Sequence, residues 1–412
     1  MQKKIQAIGK SKVFTVDELC QILNINIPKK YLKYKEKLIV ETKIFKKLEN
    51  YKSLIEKMII KDDFDDSYYL KLKKSKRGSE KFVQHYNDSV LMNQNDEELF
   101  EKFVKYLYLF FPRFNASEYF YYKLYNKSLK EAKTFIGIDF NNRIIGTCNK
   151  GARKILKHCS DKAIFNQMAK KYVNRDYLDM RTSTFEQFVE FSSKHNQFFV
   201  KPFGSNQGKG TEILTVSDNA IELFQYCKNN QTMIEELIIQ HPDISIINQS
   251  TVNTIRVLTL LPVDDNPIVT GALIRIGREG KIIDNASAGG MVAAIDLDSG
   301  KIFTNAVDIY DNEFTHHPDS GAEFKGLQIP HWEEIITAVK ETAVLFSKIR
   351  HIGWDVTVTS EGNIEFVEGN DQPAFWLIQF ADQVGKKHLY RKPIQELRQQ
   401  KKDQSVSKSE NQ

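Results

Sequence analysis

The chain predicts an α+β protein in which two α+β lobes follow a helical N-terminal region. Three observations carry this. Residues 13–60 have helix-like apolar spacing, residues 160–231 alternate helical stretches with strand-like runs, and from Thr232 onward short β-branched runs dominate.

Taken in order, Thr15 can cap a helix before VDELCQIL, and helical spacing continues through YLKYKEKLIVETKIFKKLENYKSLIEKMII. Dense charges of both signs in KDDFDDSYYLKLKKSKRGSEKF read as loops. Residues 97–133 turn helical and aromatic, broken by Pro112, and TFIGIDF and RIIGTC look like short strands with Asn141-Asn142 as a tip. A helix runs from Ser160 to about Val173, a second from Thr184 to about Lys194 with Ser183 or Thr184 as its cap, and a third covers residues 216–229. The strands NTIRVLTLL, PIVTGALIRIG, GMVAAIDL and KIFTNAV then build a second lobe. Pro330 opens a helix with Ile336, Val339, Ala343 and Leu345 on its apolar face. After about Arg391 apolar content falls away, which predicts a disordered tail over 391–412.

The most informative stretch is GWDVTVTSEGNIEFVEGN. Two strand-like runs, Trp354 to Thr359 and Asn363 to Glu368, flank a Ser-Glu-Gly turn. On such a hairpin Asp355 comes beside the Glu368-x-Asn370 pair, whose side chains share a face. Three oxygen ligands of this kind suit Mg²⁺, and a charged surface hairpin is the competing reading. Upstream, FFVKPFGSNQGKGTEIL reads as a strand ending at Lys201, a loop with Gly204, Gly208 and Gly210, and a second strand, Thr211 to Thr215. Glycines let backbone amides approach phosphate oxygens, and Lys201 and Lys209 add charge; a Gly-rich hairpin turn with solvated lysines is the alternative. The loop is not a Walker loop, which would open a helix. Arg256 and Arg275 are charges set among β-branched strand residues, where a guanidinium needs a partner.

Together these segments resemble the ATP-grasp superfamily of carboxylate ligases, in which a strand-ending lysine, a glycine-rich flap, an acidic hinge and a D…E-x-N set occur in that order. NASAGG at Asn285 to Gly290 resembles a loop of bacterial glutathione synthetase. The subgroup it most resembles is the sugar-transfer-associated ATP-grasp proteins of polysaccharide biosynthesis, through SDK (Ser160 to Lys162), NTIRV (Asn253 to Val257), HPDSG (His317 to Gly321) and GWDV…VEGN, over about residues 100–385. Charge and spacing set apart a basic, mainly helical N-terminal region over 1–96, and the resemblance implies a pre-grasp region over 97–159, a small lobe with the flap over 160–231 and a large lobe with the Mg²⁺ site over 232–390.

It also implies roles. Lys162, Lys201, Gly204, Gly208, Lys209 and Gly210 would face the nucleotide phosphates, and the hinge at Glu235, Glu236, Leu237 and Ile238 the adenine edge, with Asp243 a candidate for the ribose. Arg256, Arg275 and Asn285 would serve the transferred phosphate and the acyl phosphate, and Asp355, Glu368 and Asn370 the metal. The cofactors implied are ATP and Mg²⁺, and the reaction is ligation of a carboxylate to an amine through an acylphosphate in cell-surface glycan synthesis. A sugar-hydroxyl kinase and a non-catalytic nucleotide-binding scaffold for a glycosyltransferase assembly stand as alternatives. Asp355→Asn and Glu368→Gln are both expected to cripple turnover and leave folding intact.

Composition bounds the setting. The four cysteines (Cys20, Cys148, Cys159, Cys227) show no CxxC spacing, which fits a reducing cytoplasm. The chain carries a net charge of +6 while residues 1–60 alone carry +8, so the basic excess is N-terminal. That excess reads either as a solvated helical face or as a peripheral contact with the inner membrane face, where a lipid-linked glycan would be met. Without a docking motif, nucleic acid is not expected. Adjacent His316 and His317 in an extended segment point opposite ways and do not suggest one metal ion. HPDSG is instead expected as a loop near the acceptor site.

Overall fold

The computed structural model describes residues 12–14, 38–40, 114, 116–149, 157–204, 210–216, 219–284, 286 and 289–410. The chain divides into two units, Met1–Asn141 and Asn142–Gln412.

In the first unit β1 (Lys12–Phe14) pairs antiparallel with β2 (Leu38–Val40). This departs from the helical expectation, because Ile39 and Val40 are β-branched and favour a strand. The rest of residues 1–96 lies outside the described residues. Helices Ala116–Tyr121 and Leu129–Ala132 match the helical, aromatic reading. Tyr119, Tyr122, Leu124, Phe135 and Ile136 are buried there, and the Tyr122 hydroxyl donates to the Ile136 carbonyl at 3.2 Å.

The two short strands expected in TFIGIDF and RIIGTC are instead one helix, Ile138–Cys148. Asn141-Asn142 make no turn, because Ile144, Thr147 and Cys148 fall at helical spacing and are buried together.

In the second unit the smaller sheet has order β3-β6-β4-β5, from β3 (Tyr177–Asp179), β4 (Gln197–Pro202), β5 (Glu212–Thr215) and β6 (Thr232–Glu236). The hinge strand β6, grouped by sequence with the large lobe, therefore pairs within the small sheet. Helix Phe185–Lys194 covers this sheet, opened by the expected Thr184 in a reciprocal capping box with Gln187. With helix Ala220–Asn229 it buries Phe188, Phe191 and Cys227 against Phe198, Val200 and Ile234.

The larger sheet has order β11-β10-β9-β8-β7-β12-β13, antiparallel throughout. Its strands are β7 (Ile255–Leu260), β8 (Ile268–Ile276), β9 (Met291–Ile295), β10 (Ala306–Asp308), β11 (Glu313–Phe314), β12 (His351–Val358) and β13 (Ile364–Asn370). Every residue of β7 and β12 is buried, as expected for central strands covered on both faces. Helix Trp332–Leu345 packs with Ile335, Ala338, Val339 and Ala343 inward. Leu345, placed on its apolar face by sequence, is 58% exposed. Trp354 is fully buried among the rings of Phe165, Phe346 and Phe366, so it is a core residue.

The C-terminal segment is not a disordered tail. Helix Lys387–Glu410 spans most of it, and Tyr390, Ile394 and Leu397, spaced four and three apart, are buried on one face. Three apolar residues in helical register suffice where mean composition reads as tail. Among the described residues no helix is long and apolar enough to cross a membrane.

Candidate functional site

Cross-strand register builds the large-lobe half of the site. Asp355 on β12 stands opposite Arg256 on β7 and opposite Glu368 on β13, so a cation and two carboxylates form a row over three adjacent strands. A register shift after Asp355 realigns the hairpin, and Gly353 pairs with Asn370. Arg256 binds Asp355 through Nε and through Nη2, the latter at 2.7 Å from Oδ2, while Arg275 Nη1 donates to the same Oδ2 at 2.9 Å. Burial raises the Asp355 carboxyl pKa, but the two guanidinium charges outweigh it and hold the group below its ordinary range.

Glu368 has the opposite fate: burial, then the charge of Asp355, push its carboxyl above the ordinary value. Two carboxylates held against each other are the arrangement a divalent cation relieves. Asn370 donates its Nδ2 to Glu368 Oε1 at 3.1 Å and keeps its amide oxygen as a further hard donor. The donor set therefore fits Mg²⁺.

Helix Lys162–Met168 is opened by Asp161, whose carboxylate accepts from the backbone N–H of Ala163 and Ile164. Lys162 is thus a first-turn lysine, yet its Nζ reaches the carbonyl of Pro202 at 3.3 Å, at the end of β4. Burial, then the charge of Lys201, lower its pKa, while Glu368 and Glu235 act the other way. These couplings set both lysines and the metal-type carboxylate around one space. Gly369 lets the helix come this close, since a Cβ there would lie 2.8 Å from the ring of Phe165.

Lys201 on β4 donates to Glu235 Oε2 at 2.5 Å, diagonally across the ladder to β6. Glu235 is buried, and burial is more than offset by Arg175 and Lys201, which hold its carboxyl well below the ordinary range. Glu236 projects to the other face of β6, where its carboxylate accepts from the N–H of Asp176 at 3.0 Å. His195 there turns Nε2 toward Asp176 at 2.9 Å and Nδ1 toward Glu236 at 3.9 Å, so its two nitrogens face different carboxylates. Leu237 and Ile238 are half-buried beyond the strand end; among the described residues neither backbone has a hydrogen-bond partner. Asp243 is exposed in the short helix Pro242–Ser245 and pairs only with His241 among the described residues. Gly204 and Gly210 bracket the flap, both with positive φ. Gly208, Lys209 and Asn285 lie outside the described residues.

Sequence reasoning missed three residues. Arg175 is buried between Glu235 and Glu365. Asp284 binds Arg275 at 3.1 Å and accepts from the Thr254 N–H at 2.9 Å, joining NTIRV to the start of the NASAGG loop. Glu365 could have been found by the argument used for the arginines, as a charge between apolar Ile364 and Phe366 on a buried strand. HPDSG proves to be a clamp. Buried His317 accepts from the N–H of Asp319 and Ser320 through Nδ1 and faces the Gly277 carbonyl through Nε2 at 3.0 Å, while Asp319 takes both Arg278 and the Glu279 N–H. It fixes the root of the loop that leaves β8 after Arg275. Cys148, Cys159 and Cys227 are buried thiols, the first two pushed up to about 12 by burial, so neither suits nucleophilic work.

Residues 220–394 match the family described as sugar-transfer associated ATP-grasp, as the resemblance implied. A comparison with curated proteins finds no match. Among solved structures the chain is similar to ATP-grasp ligase PsnB complexed with precursor peptide PsnA2 and AMPPNP, at 14% identity and TM-score 0.38, over 60% of this chain and 61% of that one. It is similar also to the D-alanine-D-alanine ligase from Coxiella burnetii, at 11% identity and TM-score 0.38, over 62% of each chain. A third is PurK, N5-carboxyaminoimidazole ribonucleotide synthetase, as its ADP complex, at 12% identity and TM-score 0.36, over 53% of this chain and 46% of that one. The chain thus spans less than two thirds of the length of each.

Proposed function

We propose that this chain, an ATP-grasp protein by fold, is an ATP- and Mg²⁺-dependent ligase joining a carboxylate to an amine, with a glycan or its lipid-linked precursor as acceptor. One observation carries the reading: the Arg256–Asp355–Glu368 row, flanked by Arg275, lies in electrostatic reach of Lys162, which in turn neighbours Lys201. Anionic metal ligands beside a concentration of cations are what a chelated triphosphate requires.

In this reading an oxygen of the substrate carboxylate attacks the γ-phosphorus, the bond to the bridging oxygen breaks, and ADP leaves. The amine nitrogen then attacks the acyl carbon, inorganic phosphate leaves, and the nitrogen loses a proton. Lys162 and Lys201 bind and orient the phosphates, and Arg256 and Arg275 stabilise charge on the transferring group through planar N–H forks. Their shared partner Asp355 keeps both guanidiniums aimed before substrate arrives, which removes reorganisation from the barrier. Asp355, Glu368 and Asn370 would hold Mg²⁺, which when bound neutralises phosphate oxygens. Leu237 and Ile238 offer backbone groups that have no partner among the described residues for the adenine edge, and Gly204 and Gly210, both at positive φ, bracket the flap. The sugar-transfer association of the matched family supports a glycan setting.

Hydroxylamine trapping tests the reaction. With ATP, Mg²⁺ and a panel of carboxylates, hydroxamate formed together with ADP is expected; ADP with a sugar phosphate and no hydroxamate would replace the ligase with a kinase, and no turnover with any donor or acceptor would leave a nucleotide-binding scaffold.

A further inference from the structure

Arg175 lies between the 3-10 turn Lys170–Tyr172 and β3, in a segment that belongs to no helix or strand. Its side chain is only 2% exposed, and those of its two carboxylate partners, Glu235 and Glu365, are 3% and 1% exposed. Its Nη2 donates to Glu235 Oε1 at 3.2 Å, and its Nε lies 3.1 Å from Oε2 as an ion-pair contact without hydrogen-bond alignment, so one hydrogen bond and close charge pairing hold the hinge strand. Nη1 binds Glu365 and donates to the Phe366 carbonyl at 2.7 Å, both on β13, the strand that continues to Glu368 and Asn370. Nη2 also reaches Asn166 Oδ1 at 3.4 Å, one turn beyond Lys162 on the same helix face. Asn174 adds to the β13 arm, its N–H donating to Glu365 Oε2 at 2.7 Å and its Nδ2 to the Ile364 carbonyl at 3.0 Å.

One guanidinium therefore joins the helix of Lys162, the strand of the Glu368 pair and β6, whose Glu235 in turn holds Lys201 of β4. Glu235 Oε2 is shared between Arg175 Nε and Lys201 Nζ. Its hold on Lys201 depends on how much of its charge Arg175 already neutralises. With Arg175 in place, Lys201 is held in position by half a carboxylate and can turn to a phosphate. Without it, Lys201 becomes the sole counterion of a buried anion and stays there.

We infer that Arg175 is a positioning residue for the nucleotide: it acts through Glu235 to set Lys201, from the same fork that fixes the metal hairpin. The inference rests on the reading of this cleft as a nucleotide site.

A double-mutant cycle on binding of Mg²⁺ and a non-hydrolysable ATP analogue tests it. Arg175→Met removes the charge that neutralises Glu235, and it should raise the analogue Kd about tenfold in the native background but under about twofold when Lys201→Met is also present. A purely structural role would weaken both backgrounds by the same factor, and that result overturns the inference, as does an unchanged Kd. Should Arg175→Met fail to fold, Glu365→Gln, which leaves Arg175 to Glu235 alone and so frees Lys201 further, takes its place in the cycle, with a fall in Kd of about twofold that again requires Lys201; no change overturns the inference. Absence of analogue binding by the native protein would instead bring down the nucleotide reading itself, and this inference with it.

Discussion

Two buried ion clusters of the second unit have inverted charge order. In the large lobe an anion sits between two cations, Arg256–Asp355–Arg275. At the hinge a cation sits between two anions, Glu235–Arg175–Glu365. The first is assembled by strand register alone, since neighbouring strands place their side chains in a row. The second hangs on one residue outside any regular element. A buried cluster has its largest dependence on its central charge, because losing the centre strands two like charges out of water, whereas losing one arm leaves a pair.

The comparison is broken most directly at Asp355. Asp355→Asn leaves Arg256 without its carboxylate and Arg275 with Asp284 as its carboxylate partner, and should cost about 3–5 kcal/mol, read in denaturant melts. That replaces the sequence-based expectation of intact folding, and a native-like midpoint would show that the arginines find other partners. Glu368→Gln is the cleaner probe of the metal set, because it removes a carboxylate whose ionisation the fold already resists. Its midpoint should stay near native while Mg²⁺-dependent ATP turnover falls on the order of 100-fold; undiminished turnover would remove Glu368 from the ligand set.

The pH dependence separates ionic clusters from a lone buried base. His351 opens β12, the strand that carries Asp355, and burial lowers its pKa to about 4 from 6.5. The unfolded chain then binds more protons between those values, so stability falls as pH drops from about 6.5 to 4, by roughly 3 kcal/mol in total, and is level below. Glu368 acts with the opposite sign, its raised pKa giving a contribution that is lost as pH rises through its titration. The acid slope should therefore be steeper in Glu368→Gln than in the native protein and flatter in His351→Gln. The smallest effect is expected at the rim of the HPDSG clamp. Arg278→Ala breaks a partly exposed pair with Asp319 and should cost under about 1 kcal/mol in the same melts.

What could be read from the sequence follows from how each feature is encoded. The hairpin and the arginine strands were legible because a period-two pattern fixes which side chains share a face, and Asp355, Glu368 and Asn370 depend on little else. Lys201 was legible as the end of an apolar run. Arg175 was not, since no periodicity marks a coil residue and its three side-chain partners are 9, 60 and 190 positions away. Helix Ile138–Cys148 was misread as two strands because its apolar residues come in short clusters that suit either period. The C-terminal helix was missed because composition averages hid Tyr390, Ile394 and Leu397.

Gly369 sits between two of the residues assigned to the metal, and its missing side chain is filled by Phe165 from the helix of Lys162. That ring is pinned by Phe346 and Trp354 and has nowhere to swing. A single methyl at 369 would act as a shim, prising the lysine-bearing helix off the acidic hairpin without altering any charged group. The gauge of the jaw is thus set by one absent carbon atom.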